Sequence, residues 1–435
     1  MDNFLKIYSK ILDDFDSISL IGRIKKIKGL LVESLGPKCG IGDLCIIEQR
    51  NGKKIYAEVL GFNGYLVSLM AYESFDGIEV EDKVYSLNKR PQINLSDELL
   101  GRVIDSLGRP IDDKGQFFYK NYKEIKFNRI NPLNRGIFSE QIITGVRVLD
   151  GFLPIAKGQR VGIFSGAGVG KSTLLGMLAK HSKADVNVIA FIGERGRELN
   201  EFVKYELGED RLKKSVLVVS TSDESPISRY KGAYTATLIA EHFRDKGLDV
   251  ILLFDSMTRF ASAKREIGLS MGEPPTAKGY PPSVFVEIPF LLERSGLNGK
   301  GSITGFYTVL VEGDDFTEPI ADSMKAILDG HIILDRDLSD RGVYPSVNVL
   351  SSTSRSLHRI VSFEKQKLIS KIRYLLSVYK NYEDLIKTGI YLKGSNEEVD
   401  LAISKYSKII DFVSQEMQEE FEYENLDNEI REILS

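Results

Sequence analysis

Residues 160–181 read RVGIFSGAGVGKSTLLGMLAKH. An apolar strand-like run, Arg160 to Phe164, enters a glycine-rich turn, Ser165 to Gly170, and leaves as a helical stretch from Thr173 onward. Strand, glycine turn and helix start form the setting in which a phosphate-binding loop works. Glycine lets successive backbone N–H groups converge on phosphate oxygens with no Cβ in the way. The helix N-terminus adds positive potential. Gly166, Ala167, Gly168, Val169 and Gly170 supply the loop, Lys171 a point charge, and Ser172 and Thr173 hydroxyls at the helix start. Lys171 is expected to reach the terminal phosphates of ATP, and Ser172 to ligate Mg²⁺. The strict pattern opens on glycine. Ser165 stands there instead, a small residue that asks only for a slight adjustment of the turn.

Working outward, continuous Val/Ile/Leu/Phe runs (VNVIAFIG, SVLVVS, DVILLFD, FYTVLV) alternate with helical stretches. That alternation predicts an α/β fold with a parallel sheet covered on both faces. Upstream, SISLIGRI, DLCIIEQ, KIYAEVLGF and YLVSLM are short β-like runs separated by Gly and Asn-Gly turns, the pattern of a small barrel. Downstream of Arg355 the strand signals give way to amphipathic helical periodicity. The expected domains are a β-barrel over 18–90, a P-loop ATPase domain over 91–355 and a helical domain over 356–435. Residues 1–17 carry Phe4, Tyr8, Ile11 and Phe15 at helical spacing, which fits a core-docked helix or a partner-binding one.

Composition sets bounds. The 435 residues are 42% hydrophobic and 28% charged, with 58 basic against 62 acidic side chains and a net charge of -4. That is an ordinary globular balance with no broad basic character, and no nucleic-acid partner is expected. Cys39 and Cys45 are too few for a disulfide framework, and no Cys/His pair has zinc-ligand spacing. The N-terminus lacks the basic-then-apolar plan of a secretory signal, and apolar runs such as Val250 to Phe254 are too short for a bilayer. A cytoplasmic location is expected, with any membrane contact peripheral.

Two carboxylates complete the chemistry. Asp255 ends the apolar run Asp249–Asp255, where it can hold Mg²⁺ beside the P-loop. Glu194, in VIAFIGERGRE, ends another apolar run and is followed by Arg195. A carboxylate there can orient an attacking water, although spacing alone leaves an ordinary solvated strand end equally open.

Taken together, these motifs resemble the catalytic subunits of rotary ATP synthases and their relatives, the flagellar and type III protein-export ATPases. The likeness runs from about Ile18 into the C-terminal helices and implies a P-loop RecA-like parallel-sheet core between a small N-terminal β-barrel and a C-terminal helical domain. It includes GRVIDSLGRPID (101–112), TGVRVLDGFLPIAKGQ leading to the P-loop, KGSIT (300–304) and DDFTEP (314–319). The resemblance implies that Gly193–Arg195 is the catalytic-carboxylate triplet, with Glu194 the residue that non-catalytic subunits lack. It places Arg259 of DSMTRF near the γ-phosphate. Tyr344 of GVYPSVNVLSSTSR falls at the adenine-stacking position, and Arg355 at that of an arginine finger acting on a neighbour's nucleotide. Without it, Tyr344 reads as a turn tyrosine and Arg355 as a surface cation.

GEPPTAKGYPPSVFVEIPFLLERSG (272–296) is similar to the export branch and differs from rotary catalytic subunits. The resemblance implies a homohexamer with a stator-like regulator and a central stalk protein as partners. It implies export substrates and chaperones as further partners. A virulence-type export ATPase, a rotary catalytic subunit, a hexameric RNA translocase and a non-catalytic nucleotide-binding scaffold are the competing readings.

Overall fold

The computed structural model describes residues 20–118, 121–125, 131, 133, 135–311, 313 and 315–435. The expected helix over residues 1–17 lies outside them, as does Asp314 of DDFTEP.

Six strands close into a barrel: β1 (Gly22–Lys28), β2 (Leu31–Leu35), β3 (Leu44–Glu48), β4 (Lys54–Asn63), β5 (Leu66–Ala71) and β6 (Lys83–Ser86), in the order β1-β2-β5-β4-β3-β6. Closure removes the free edges that short strands would otherwise expose. Ile24, Val32, Ile47, Ile55, Val59 and Leu69 fill the interior. Cys45 is buried among them and Cys39 packs against the same cluster, both as free thiols. Burial, with Cys39 and Asp43 nearby, pushes the Cys45 thiol up to about 12.

The barrel rests on the core through polar contacts. Lys231 Nζ meets Glu58 Oε1 at 2.8 Å, and the Ser225 hydroxyl donates to the Tyr72 carbonyl at 3.0 Å. Ser225 also caps the long helix Pro226–Asp245, accepting from Ser228 N–H, with proline at the first helical position.

The main sheet runs, edge to edge among the described residues, Thr353–Ser354, Gly330–Ile333, Arg160–Ser165, Ser302–Leu310, Asp249–Asp255, Val186–Ile192, Ser215–Ser220 and Arg102–Ile104. Pairing is parallel except for Thr353–Ser354 and the side strand Gly296–Leu297. Val186–Ile192 is buried at every position. Its alternate residues serve two cores: Val188, Ala190 and Ile192 face one apolar cluster, Ile189 and Phe191 the other. Both faces are therefore covered, as continuous apolar strands require. Ser165, Glu194, Ser220, Asp255 and Leu310 all fall at the strands' carboxyl ends, the edge at which open α/β sheets bind ligands.

After Arg355 the chain is helical. Ser362 caps Phe363–Lys387, and Asn396 caps Glu397–Val413. The two helices lie side by side, with Tyr379 stacked on Tyr406 at 3.6 Å and 7°. Phe412 packs on Phe152, and Arg147 N–H donates to Gln415 Oε1 at 2.8 Å, locking this domain onto the segment that leads to the P-loop. Among the described residues no helix is long and apolar enough to cross a membrane.

Candidate active site

The P-loop links the strand Arg160–Ser165 to the helix Lys171–His181. Gly168 and Gly170 hold φ of 76° and 91°, a region that costs a residue with a Cβ about 1–2 kcal/mol. At Gly170 a Cβ would also sit 3.1 Å from the Tyr344 ring, so glycine there lets the aromatic face close on the loop. Ser165, the departure from the strict pattern, is buried in the sheet. The Val169 side chain is buried, and its carbonyl accepts from Ser346 Oγ at 2.5 Å.

The loop opens on a cavity of about 640 Å³. Its walls include Gly166, Ala167, Gly168, Gly170, Lys171, Ser172 and Thr173 from the P-loop, together with Glu194, Arg195, Arg259 and Tyr344. The structure thus brings together nearly all the residues expected to meet nucleotide. Asp255 lies just beneath, 4% exposed, with Oδ1 2.7 Å from Lys171 Nζ and 2.7 Å from the Thr308 hydroxyl that donates to it. Lys171 Nζ is also 3.6 Å from Glu194 Oε1.

Glu194 is 8% exposed, and its Oε1 accepts no hydrogen bond among the described residues. Its backbone is pinned at Gly193 N–H to Ser220 O (2.7 Å) and at Ser222 N–H to Glu194 O (3.0 Å). Gly193 has φ 73°, and a Cβ there would lie 2.7 Å from Arg259 Cβ, so the glycine before the carboxylate also lets Arg259 approach. Burial raises the Glu194 pKa and the Asp255 carboxylate raises it further, against the pull of Lys171 and Arg259. Burial works against the charge on Lys171, but Asp255 and Glu194 outweigh it and its pKa is raised.

Two predicted residues stand apart. Arg195 touches the cavity rim, but its side chain is 82% exposed and its guanidinium is 3.9 Å from Glu198. Arg355 does not line the cavity: its guanidinium donates to the Lys325 carbonyl at 3.2 Å on an exposed face.

Three residues escaped the sequence reading. Glu198 joins the cavity wall and adds its field to Lys171, Thr308 bonds Asp255, and Ser346 bonds the loop. Glu198 lies four residues after Glu194 at a helix start, a readable offset. Thr308 looks like any β-branched strand residue.

The donor set suits Mg²⁺. The Asp255 carboxylate and the Ser172 hydroxyl are hard oxygen donors beside an anion cradle, and Mg²⁺ asks for one or two carboxylates plus phosphate oxygens. Among the described residues no group of three or more His, Cys, Asp or Glu is placed to hold a metal ion, so a dedicated protein-only cage is not what this site offers.

Family models match along the chain: the ATP synthase alpha/beta family beta-barrel domain at 24–88, its nucleotide-binding domain at 145–354, and the T3SS EscN ATPase C-terminal domain at 361–432. Over 436 aligned residues, covering 100% of both proteins, the chain is 76% identical to the flagellum-specific ATP synthase of Borreliella burgdorferi. The chain belongs to the flagellar and type III protein-export ATPases. Another relative is the type 3 secretion system ATPase of Xanthomonas euvesicatoria, 44% identical over 93% of this chain and 92% of that protein.

Among solved structures, the assembled ATPase EscN of the enteropathogenic E. coli type III secretion system superposes with TM-score 0.90 at 40% identity, covering 95% of this chain and 100% of EscN. EscN in complex with its central stalk EscO gives 0.88 over the same coverage. The export ATPases thus share the whole architecture described above, barrel to C-terminal helices. The EscN-type C-terminal match sets this chain on the export branch and away from the rotary catalytic subunits.

Proposed function

We propose that this chain hydrolyses ATP with Mg²⁺ as a hexameric ring that energises or primes flagellar protein export. The observation that carries hydrolysis, beyond nucleotide binding, is Glu194: a buried carboxylate with an open oxygen, on the wall of the P-loop cavity and 3.6 Å from Lys171. A carboxylate of raised pKa is a better proton acceptor near neutral pH, and this one is placed to orient water against the terminal phosphate.

The remaining roles follow from position. Amides of 166–170 and Lys171 hold the phosphates, and Ser172 with Asp255 holds Mg²⁺, which supplies charge neutralisation on the phosphate oxygens when bound. Lys171 then exchanges Asp255 for phosphate. Arg259 adds charge beside Glu194, Arg195 works from the rim, and Tyr344 stacks on adenine. Arg355, on an exposed face and outside the lining of its own P-loop cavity, suits service in trans to a neighbour's nucleotide, so that assembly switches hydrolysis on.

The flagellar assignment is supported by the 76% identity to a flagellum-specific relative, the ring by the assembled EscN, and a central stalk partner by the EscN–EscO complex. A stator-like regulator, chaperones and unfolded export substrates complete the proposed partners, with peripheral contact at the cytoplasmic membrane. The decisive test is Glu194→Gln in the assembled protein. Phosphate release should fall by about 10²–10⁴ while ATP binding persists. Unchanged turnover would remove Glu194 from the mechanism.

A further inference from the structure

At the opposite end of the P-loop helix from the phosphate cradle lies a second cavity, of about 430 Å³. It is bounded by the helix end at His181 and Ser182, the turn Lys183–Asp185, Arg211 and Lys214 before the strand Ser215–Ser220, and the C-terminal segment Glu420–Tyr423.

Two observations there point to a ligand independently. The first is unsatisfied polarity. His181 is 8% and Ser182 6% exposed, yet His181 Nδ1 and Ser182 Oγ have no hydrogen-bond partner among the described residues. His181 Nε2 is 2.8 Å from the Met417 carbonyl, which can only accept. Nε2 therefore carries the proton, and in the neutral ring Nδ1 is an acceptor wanting a donor. Leaving such buried groups unmet is costly.

The second observation is charge. Lys183, Arg211 and Lys214 line the cavity, and none of their side chains forms an ion pair or hydrogen bond among the described residues. Two carboxylates share the wall and leave the cations in excess, three to two. Asp185 accepts from Asp249 N–H at 2.8 Å, and Glu420 is 75% exposed with its Oε1 3.7 Å from His181 Nδ1. A helix C-terminus attracts cations, and Lys180 stands in this one's last turn. Lys183, Arg211 and Lys214 come from beyond the helix and converge from two further segments.

We infer that this cavity is a second anion site, built for the phosphate group of a small molecule. Three separate cations can each take a different oxygen of a tetrahedral anion, while His181 Nδ1 accepts from and Ser182 Oγ bonds to its hydroxyls. A phosphomonoester of a sugar supplies both kinds of group, and free inorganic phosphate supplies the first. Either would bridge the C-terminal segment to the P-loop helix, a junction now carried by the His181–Met417 contact.

Isothermal titration of the full chain, without Mg²⁺ and at low salt, tests this with inorganic phosphate and with ribose 5-phosphate. Wild type should show two classes of site, the P-loop and this one. Lys183→Ala/Lys214→Ala, both exposed positions, should lose one class or weaken it by at least about tenfold while keeping the other, which certifies the fold. Ribose 5-phosphate binding more tightly than phosphate, with the advantage erased by Ser182→Ala, identifies a phosphomonoester. Equal binding of the two identifies free phosphate. One class in wild type, or two undiminished classes in the double variant, overturns the site.

Discussion

Lys171 does two jobs, and one of them is testable without any nucleotide. Its ammonium, 12% exposed, sits 2.7 Å from Asp255 Oδ1 and 3.6 Å from Glu194 Oε1, whose side chains are 6% and 9% exposed. Lys171→Met keeps the length of the side chain and removes the charge. Two buried carboxylates then face each other, with the Thr308 hydroxyl on Asp255 and no hydrogen bond to Glu194 Oε1 among the described residues. Removing one partner of a buried ion pair costs about 3–5 kcal/mol.

Protonation limits the damage. Like charges at one site force a carboxyl pKa upward, and a proton on either carboxyl relieves the repulsion. A folded-state pKa above the unfolded value means that nothing is lost below about pH 4.3, the unfolded glutamate value. Stability then falls by about 1.4 kcal/mol per pH unit until the raised pKa is passed. The Lys171→Met deficit should therefore approach its full size at pH 8 and shrink to about 1 kcal/mol or less at pH 5, since the raised Glu194 pKa already costs wild type part of the same stability. Urea unfolding midpoints of nucleotide-free wild type and variant at the two pH values measure this. Adding Asp255→Asn to Lys171→Met should restore most of the loss at pH 8. A deficit equal at both pH values, or none, would refute the claim that this lysine holds the empty site together.

Three further outcomes follow from the geometry. Burial, then the Asp255 and Glu201 carboxylates, lifts Glu206 from 4.5 to about 7, and its Oε2 is buried without a hydrogen-bond partner among the described residues. The raised value means the fold prefers the protonated form, so stability drops as pH climbs toward 7. Allowing for solvent at this partly exposed side chain, Glu206→Gln should gain about 1–2 kcal/mol at pH 8 and nothing at pH 4.5, read from urea midpoints. Gly170→Ala meets both the 91° φ and the Tyr344 ring at 3.1 Å, so ATP affinity should fall about tenfold or more in equilibrium binding, with an intact far-ultraviolet spectrum. Arg355→Ala subunits should lack activity alone yet regain part of it when mixed with Glu194→Gln subunits, since each supplies what the other lacks; a mixture as dead as its parents would count against a finger acting in trans.

Much of this was legible because the deciding signals are local. A glycine-rich turn between an apolar strand and a helix admits few readings, and Lys171, Ser172 and the loop backbone lie where that motif puts them. Asp255 and Glu194 each end an apolar strand, and parallel strands in one sheet end on one edge, so neighbours in the sheet become neighbours in the site. What the sequence hid depends on pairing across the sheet. Thr308 reaches Asp255 only because Ser302–Leu310 lies beside Asp249–Asp255, in a register that sets Phe254 opposite Tyr307. Ser346 reaches Val169 over 177 residues.

Arg355 marks the other boundary of such reading. No pattern in its neighbourhood ties it to phosphate, and among the described residues its guanidinium meets the Lys325 carbonyl. The Gly193–Arg195 triplet also splits in space: Gly193 admits Arg259, Glu194 turns inward to Lys171, and Arg195 turns out to a side-chain exposure of 82%. Three consecutive residues thus serve packing, chemistry and the rim in turn. The positive φ at Gly193 breaks the strand's alternation at the point where Glu194 must face the cavity, so a residue with a Cβ at 193 would disturb Arg259 and Glu194 together.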